Sequence, residues 1–128
     1  MNRVVVTGAA GYSPIGNDWE QIEFNLRNLK SGIRYMDGWE IYDGLNTRLA
    51  APVTDFEHPP SFIRKRIRSM SRVSLMATAA SERALEDAGL LGNDVLQSGR
   101  AGVSYGSSTG GTEATGEFAG MLFNKSLD

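Results

Sequence analysis

The 128-residue chain sets 13 Lys and Arg against 15 Asp and Glu, a formal net charge of −2, and 41% of its residues are hydrophobic. That length and balance suit one soluble globular domain, and they exclude a disordered tail or a chain drawn as a whole to nucleic acid. The absence of cysteine excludes a disulfide framework, a thiolate metal site and a cysteine nucleophile within these residues.

The N-terminus, Met1-Asn2-Arg3, runs directly into valines with no signal-peptide pattern. No window approaches the roughly 18 to 20 apolar residues of a membrane span, so a cytoplasmic protein without a membrane partner is expected. Arg3 to Thr7 is short and valine-rich and reads as a buried strand closed by Gly8. A glycine-rich turn from Gly8 to Gly16 follows. Asn17 as cap, with Glu20 three residues on and Trp19, Ile22, Leu26 and Leu29 at helical spacing, predicts a helix over 18–30 stopped by Gly32.

Residues 33–60 are aromatic, glycine-dotted and aperiodic, with a short strand at 48–51, and read as an ordered irregular excursion. Pro59 and Pro60 punctuate, and Ser61 is placed to cap a short helix reaching about Ser69. A longer helix is expected over 71–88. It carries Val73, Met76, Ala77, Ala80, Ala84, Leu85 and Ala88 on one side, is small and apolar nearly all round in its first half, and ends at Gly89. Residues 100–106 alternate Ala101, Val103 and Tyr105 with small residues and predict another strand. A loop, 107–111, leads into a last helix starting near Thr112. Strands this far apart, with helices between them, point to an α/β fold with a largely parallel sheet.

A strand ending in Thr7-Gly8-Ala9-Ala10-Gly11 invites a dinucleotide-binding reading, since glycines there let backbone approach a pyrophosphate. Pro14 stands where the third glycine belongs, the helix starts only after Gly16 and Asn17, and no acidic residue closes a strand at the ribose-binding offset. An NAD-dependent short-chain dehydrogenase or epimerase is therefore the weakest of the readings.

The same residues resemble the opening of the β-ketoacyl-[acyl-carrier-protein] synthase family, of the thiolase superfamily. The resemblance rests on Val5-Val6-Thr7-Gly8, Ser13-Pro14-Ile15-Gly16-Asn17 and Lys30-Ser31-Gly32-Ile33, continuing through Arg64 to Met70 and Ala84-Leu85-Glu86-Asp87-Ala88-Gly89-Leu90. It closes on Gly102-Val103-Ser104-Tyr105-Gly106-Ser107-Ser108-Thr109-Gly110-Gly111. It implies a thiolase-like layered fold, with residues 1–128 as the N-terminal portion of a ketosynthase domain and most of its first half. It implies decarboxylative condensation of an acyl thioester with malonyl-carrier protein in fatty-acid, polyene or polyketide synthesis. The family's nucleophilic Cys and its two His fall beyond Asp128, so no catalytic residue is expected in this chain. No cofactor and no metal are implied. A non-catalytic homologue of the chain-length-factor kind, which shapes a partner's pocket without a Cys, stays open.

Two places are candidates for binding. Arg64, Lys65, Arg66, Arg68 and Arg72 put five positive charges within nine residues, with Arg64, Arg68 and Arg72 at i, i+4 spacing, so that an external anion would relieve their repulsion. No aromatic platform interleaves them, which argues against nucleic acid. The resemblance places acyl-carrier protein at Lys65 and Arg68, with Arg64, Arg66 and Arg72 beside them. It places the acyl pocket at Thr109 and Ser108, and a hydroxyl at Thr109 departs from the apolar residue usual in the family. It also implies a homo- or heterodimer with a ketosynthase subunit. His58, between Glu57 and Pro59, reads as a surface residue.

Overall fold

A computed structural model describes residues 3–125 of the chain; the ends of the expected 1–128 portion lie outside the described residues. The chain forms two compact units, one of residues 10–57 and one of residues 1–9 with 58–128.

In the first unit the Ser-Pro-Ile-Gly turn closes on itself. Ser13 N donates to Gly16 O at 3.0 Å, Gly16 N returns a bond to Ser13 O at 3.2 Å, and the Ser13 hydroxyl donates to Gly16 O at 2.9 Å. Helix α1, Trp19–Arg27, follows. Its cap is Asp18 and not the expected Asn17: Asp18 is extended, and its carboxylate accepts from Gln21 N at 2.8 Å. Asn17 instead donates its amide to Asp55 at 2.9 Å. The helix also stops earlier than Gly32, because Leu29 turns to a φ of 53° and Lys30 N reaches back to Asn25 O at 2.9 Å. Gly32 serves another purpose, since a Cβ there would lie 2.5 Å from Pro14 Cβ. Strands β1, Arg34–Tyr35, and β2, Leu49–Ala50, pair antiparallel, Arg34 with Ala50 and Tyr35 with Leu49. A 3₁₀ turn at Asp37–Ile41 lies between them. Phe56 is buried and meets Tyr12 edge-on at 4.9 Å.

The second unit is organised by one long helix. Helix α2 covers Arg64–Ile67 and α3 covers Arg72–Asp87. The cap of α3 is Ser71, the first residue of the expected helix, and Gly89 at its end, as expected, takes a φ of 67° that favours glycine. Ala79, in the middle of α3, is fully buried, whereas the residues around it are half covered. Three stretches of chain meet α3. Gly8 lies so close to its C-terminal half that an added Cβ would fall 2.3 Å from Ala84 O, and Ala9 N donates to Asp87 at 2.9 Å. Tyr105 meets its middle and Gly111 its start. A 3₁₀ turn at Asp94–Gln97 and helix α4, Thr112–Asn124, complete the unit.

The expected parallel sheet is absent among the described residues, where the one sheet is the antiparallel β1–β2 pair. Residues 3–7 and 100–106 carry no backbone–backbone hydrogen bonds there. The chain meets α3 at Gly8 and Ala9, just after the first segment, and at Tyr105, within the second, and a strand exists only where a neighbouring strand completes its ladder. Their side chains are correspondingly open, with Val4 96% and Val103 80% exposed.

Candidate functional site

The basic stretch is laid out differently from its sequence reading. Helix α2 starts at Arg64 after Ile63, which makes no side-chain cap, so Ser61 does not cap it. The helix breaks after Ile67, where Arg68 N still reaches Arg64 O at 3.0 Å and Met70 N folds back on Ile67 O at 2.9 Å. Arg72 then opens a separate helix. The three-arginine ridge is thus interrupted between Arg68 and Arg72, because Ser71 caps a new helix instead of continuing the old one. Arg64, Lys65, Arg66 and Arg68 are all exposed. Four like charges on little more than one turn make a concentrated positive surface. His58 sits beside this stretch, exposed, its ring parallel to Phe62 at 6.2 Å and Nδ1 3.1 Å from Pro59 O.

The second expected site is a tight turn held at both ends. Ser107 Oγ accepts from Gly110 N at 2.9 Å, and Gly110 takes a φ of 63°, so the turn closes with Ser108 and Thr109 displayed at its tip, both exposed. On the N-terminal side, Tyr105 donates its hydroxyl to Ala77 O at 3.0 Å and also bonds the Ser81 hydroxyl. On the C-terminal side, a Cβ on Gly111 would lie 2.6 Å from Ser71 Cβ. The two expected sites therefore approach each other at the start of α3: Ser71 precedes Arg72, and it abuts Gly111, two residues past Thr109.

Between α3 and residues 101–105 lies an open apolar groove of about 500 Å³, bordered by Gly8, Ala84, Leu85, Ala88, Val103 and Tyr105. Neither Ser108 nor Thr109 lines it. Tyr105 and Ser81 are the residues that sequence reading missed as part of the turn's support. The alternation of residues 101–105 marks which way Tyr105 points, but nothing in the sequence pairs it with a serine 24 positions earlier. The sequence has no cysteine, and no cluster able to hold a metal ion occurs among the described residues. No helix among them is long and apolar enough to cross a membrane.

The second unit is thus centred on α3, with Gly8 and Gly111 at two places where backbone closes on it. Comparison with known proteins supplies the assignment. The family described as "Beta-ketoacyl synthase, N-terminal domain" matches residues 1–125. A beta-ketoacyl synthase crystal structure from Burkholderia phymatum STM815 superposes with a TM-score of 0.92 at 44% identity, over 99% of this chain and 31% of that one. A 3-oxoacyl-[acyl-carrier-protein] synthase 2 from Synechocystis is 31% identical over 96% of this chain and 29% of its own length. Its namesake from Vibrio cholerae is 36% identical over 87% of this chain and 26% of its own length. The chain belongs to the beta-ketoacyl synthase family, within its N-terminal domain. It spans less than a third of the length of these relatives.

Proposed function

We propose that the polypeptide carrying this sequence is a decarboxylating 3-oxoacyl-[acyl-carrier-protein] synthase. The observation that carries the reading is the match of residues 1–125 to the family, together with the 44% identical beta-ketoacyl synthase that superposes on 99% of the chain. In that reaction a cysteine thiolate attacks an acyl-carrier thioester and the carrier thiol leaves. Malonyl-carrier protein then loses CO₂, and the resulting carbanion attacks the enzyme thioester, releasing the cysteine and forming a 3-ketoacyl product. The cysteine and the two histidines that assist are contributed by other parts of the polypeptide, since this chain has no cysteine and its one histidine is the exposed His58.

The role of this chain in that enzyme is to receive substrate. Lys65 and Arg68, with Arg64, Arg66 and Arg72 around them, dock the acidic carrier protein, and their exposure supports that role. Thr109, with Ser108, meets the far end of the acyl chain. The hydroxyl at Thr109 favours a chain bearing polar or conjugated features over a plain saturated one, because a hydroxyl closed into a pocket needs a partner. The enzyme works in the cytoplasm as a dimer of ketosynthase subunits.

The test is turnover by the full-length protein with acyl-carrier and malonyl-carrier substrates, read as 3-ketoacyl product by mass spectrometry. Product that requires both carriers is expected. A full-length protein that makes none alone, yet changes the product lengths of a partner ketosynthase, is a chain-length factor and refutes the reading. Thr109→Phe places a ring where the acyl tail ends, so it is expected to halt elongation at shorter products while short primers react normally. Thr109→Val, close in shape but without the hydroxyl, reports whether a polar feature of the chain is read there.

A further inference from the structure

We infer that helix α3 is the template that sets where Thr109 stands, and that Tyr105 and Gly111 are its two positioning residues; the inference rests on the acyl-pocket reading of Thr109. The segment from Gly106 to Gly110 contains three small polar residues and two glycines and has no apolar anchor of its own. A turn of that composition samples many backbone states unless its ends are fixed. Its internal support is a single bond, from Gly110 N to Ser107 Oγ. All remaining support among the described residues comes through its flanks, and both flanks land on the same helix.

At the leading end, the Tyr105 hydroxyl reaches Ala77 O and Ser81 Oγ, two groups one turn apart on α3. Ser81 Oγ also lies 3.0 Å from Ala77 O, and since each hydroxyl has one proton, the tyrosine donates to Ala77 O and accepts from Ser81, which holds the two side chains together. Because a tyrosine ring is rigid, fixing its oxygen fixes the height of the backbone that enters the turn. At the trailing end, Gly111 approaches Ser71, the residue that caps α3, so closely that a Cβ has no room. The two anchor points on α3, Ser71 and the Ala77–Ser81 pair, are both on one continuous hydrogen-bonded helix and cannot move independently. The turn between them is held at a fixed depth, and the depth of Thr109 determines how long an acyl chain fits before its end meets this side chain.

The proposal distinguishes positioning from mere stability. Loss of the Tyr105 hydroxyl removes a bond worth about a fivefold change in an equilibrium, on the scale of a typical net hydrogen bond. Loosening the turn at Tyr105, whose bonds lie at Ala77 and Ser81 in the middle of α3, alters the discrimination between long and short chains without touching the basic residues 64–72. In the full-length synthase, Tyr105→Phe, Ser81→Ala and Gly111→Ala are compared with the parent for kcat/KM on a short and a long acyl-carrier primer, and for product length distribution. For Tyr105→Phe we expect the short-to-long ratio of kcat/KM to shift about fivefold and products to spread over more lengths, with carrier-protein binding unchanged. Ser81→Thr, which keeps the hydroxyl, is expected to behave as the parent. A Tyr105→Phe enzyme that loses rate equally on both primers, or that only melts at a lower temperature, overturns the proposal. Tyr105→Phe keeps the ring and so carries the test even if Gly111→Ala does not fold. Thr109→Phe is run alongside: if it leaves product lengths unchanged, the pocket reading itself fails, whereas shortened products there with none of the anchors acting defeat the anchoring proposal alone.

Discussion

Gly8→Ala is the sharpest test of the packing that holds residues 3–9 to α3. The added Cβ would lie 2.3 Å from Ala84 O, 2.7 Å from Ala88 N and 2.9 Å from Ala88 Cβ. A carbon and a carbonyl oxygen in ordinary contact stand about 3.3 Å apart, so the misfit is roughly 1 Å. Two of the three atoms are helix backbone tied to each other, since Ala88 N donates to Ala84 O at 3.0 Å, and neither yields without unwinding the last turn of α3. Residues 3–9 must therefore lift away, which also stretches the 2.9 Å bond from Ala9 N to Asp87. Overpacking of this kind costs about 1–3 kcal/mol and the strained hydrogen bond about 1 more, so a loss near 3 kcal/mol is expected. The control is Gly11→Ala, where nothing lies within 4 Å of the added methyl. Denaturant unfolding followed by circular dichroism, on the full-length protein and its two variants, should place Gly8→Ala well below the parent and Gly11→Ala beside it. Equal midpoints for the two variants would refute the close approach of Gly8 to α3.

Reversing Lys65 and Arg68 to Glu in the full-length enzyme should weaken carrier-protein binding about tenfold, chiefly through a slower association rate, while turnover of a small free thioester survives. The difference should shrink as salt is raised, and equal losses on carrier-bound and free substrates would show that the patch does not dock the carrier. Leu29→Gly should raise stability by about 0.5–1 kcal/mol in thermal unfolding, because Leu29 holds a φ of 53° while its side chain is 92% exposed and gains little there. A lower melting temperature would mean that the leucine contributes packing that outweighs its strain. The 128-residue chain on its own should form no 3-ketoacyl product, since it contains no cysteine; product from the purified chain would require a different nucleophile.

Local chemistry was enough to foresee α3 and the start of α4. Ser71 caps a run of small and apolar residues, Gly89 ends it, and Gly110-Gly111 hands the chain to Thr112, all within a few residues of one another. The short strand near 48–51 and the exposure of His58 were legible for the same reason. The family resemblance, too, was carried by the sequence alone, because blocks such as Ser13-Pro14-Ile15-Gly16 and Tyr105 to Gly111 keep their order and spacing whether or not they are folded.

Tertiary structure decided what depends on partners distant in the chain. Asn17 and Asp18 are both able to cap α1; Asp18 does so, while the Asn17 amide is turned to Asp55, 38 residues away. A glycine at position 8 serves a phosphate loop or a tight helix contact equally well in sequence, and only the fold shows it facing Ala84 and Ala88. Residues 3–7 and 100–106 have strand composition, yet a ladder needs neighbouring strands, and among the described residues neither pairs with one: Tyr105 bonds α3, as does Ala9 just after the first segment. The five basic residues were countable at once, but the break that separates Arg68 from Arg72 is set by Ser71 turning to cap α3. That same serine is where Gly111 closes in, a contact between residues 40 positions apart that no local pattern encodes.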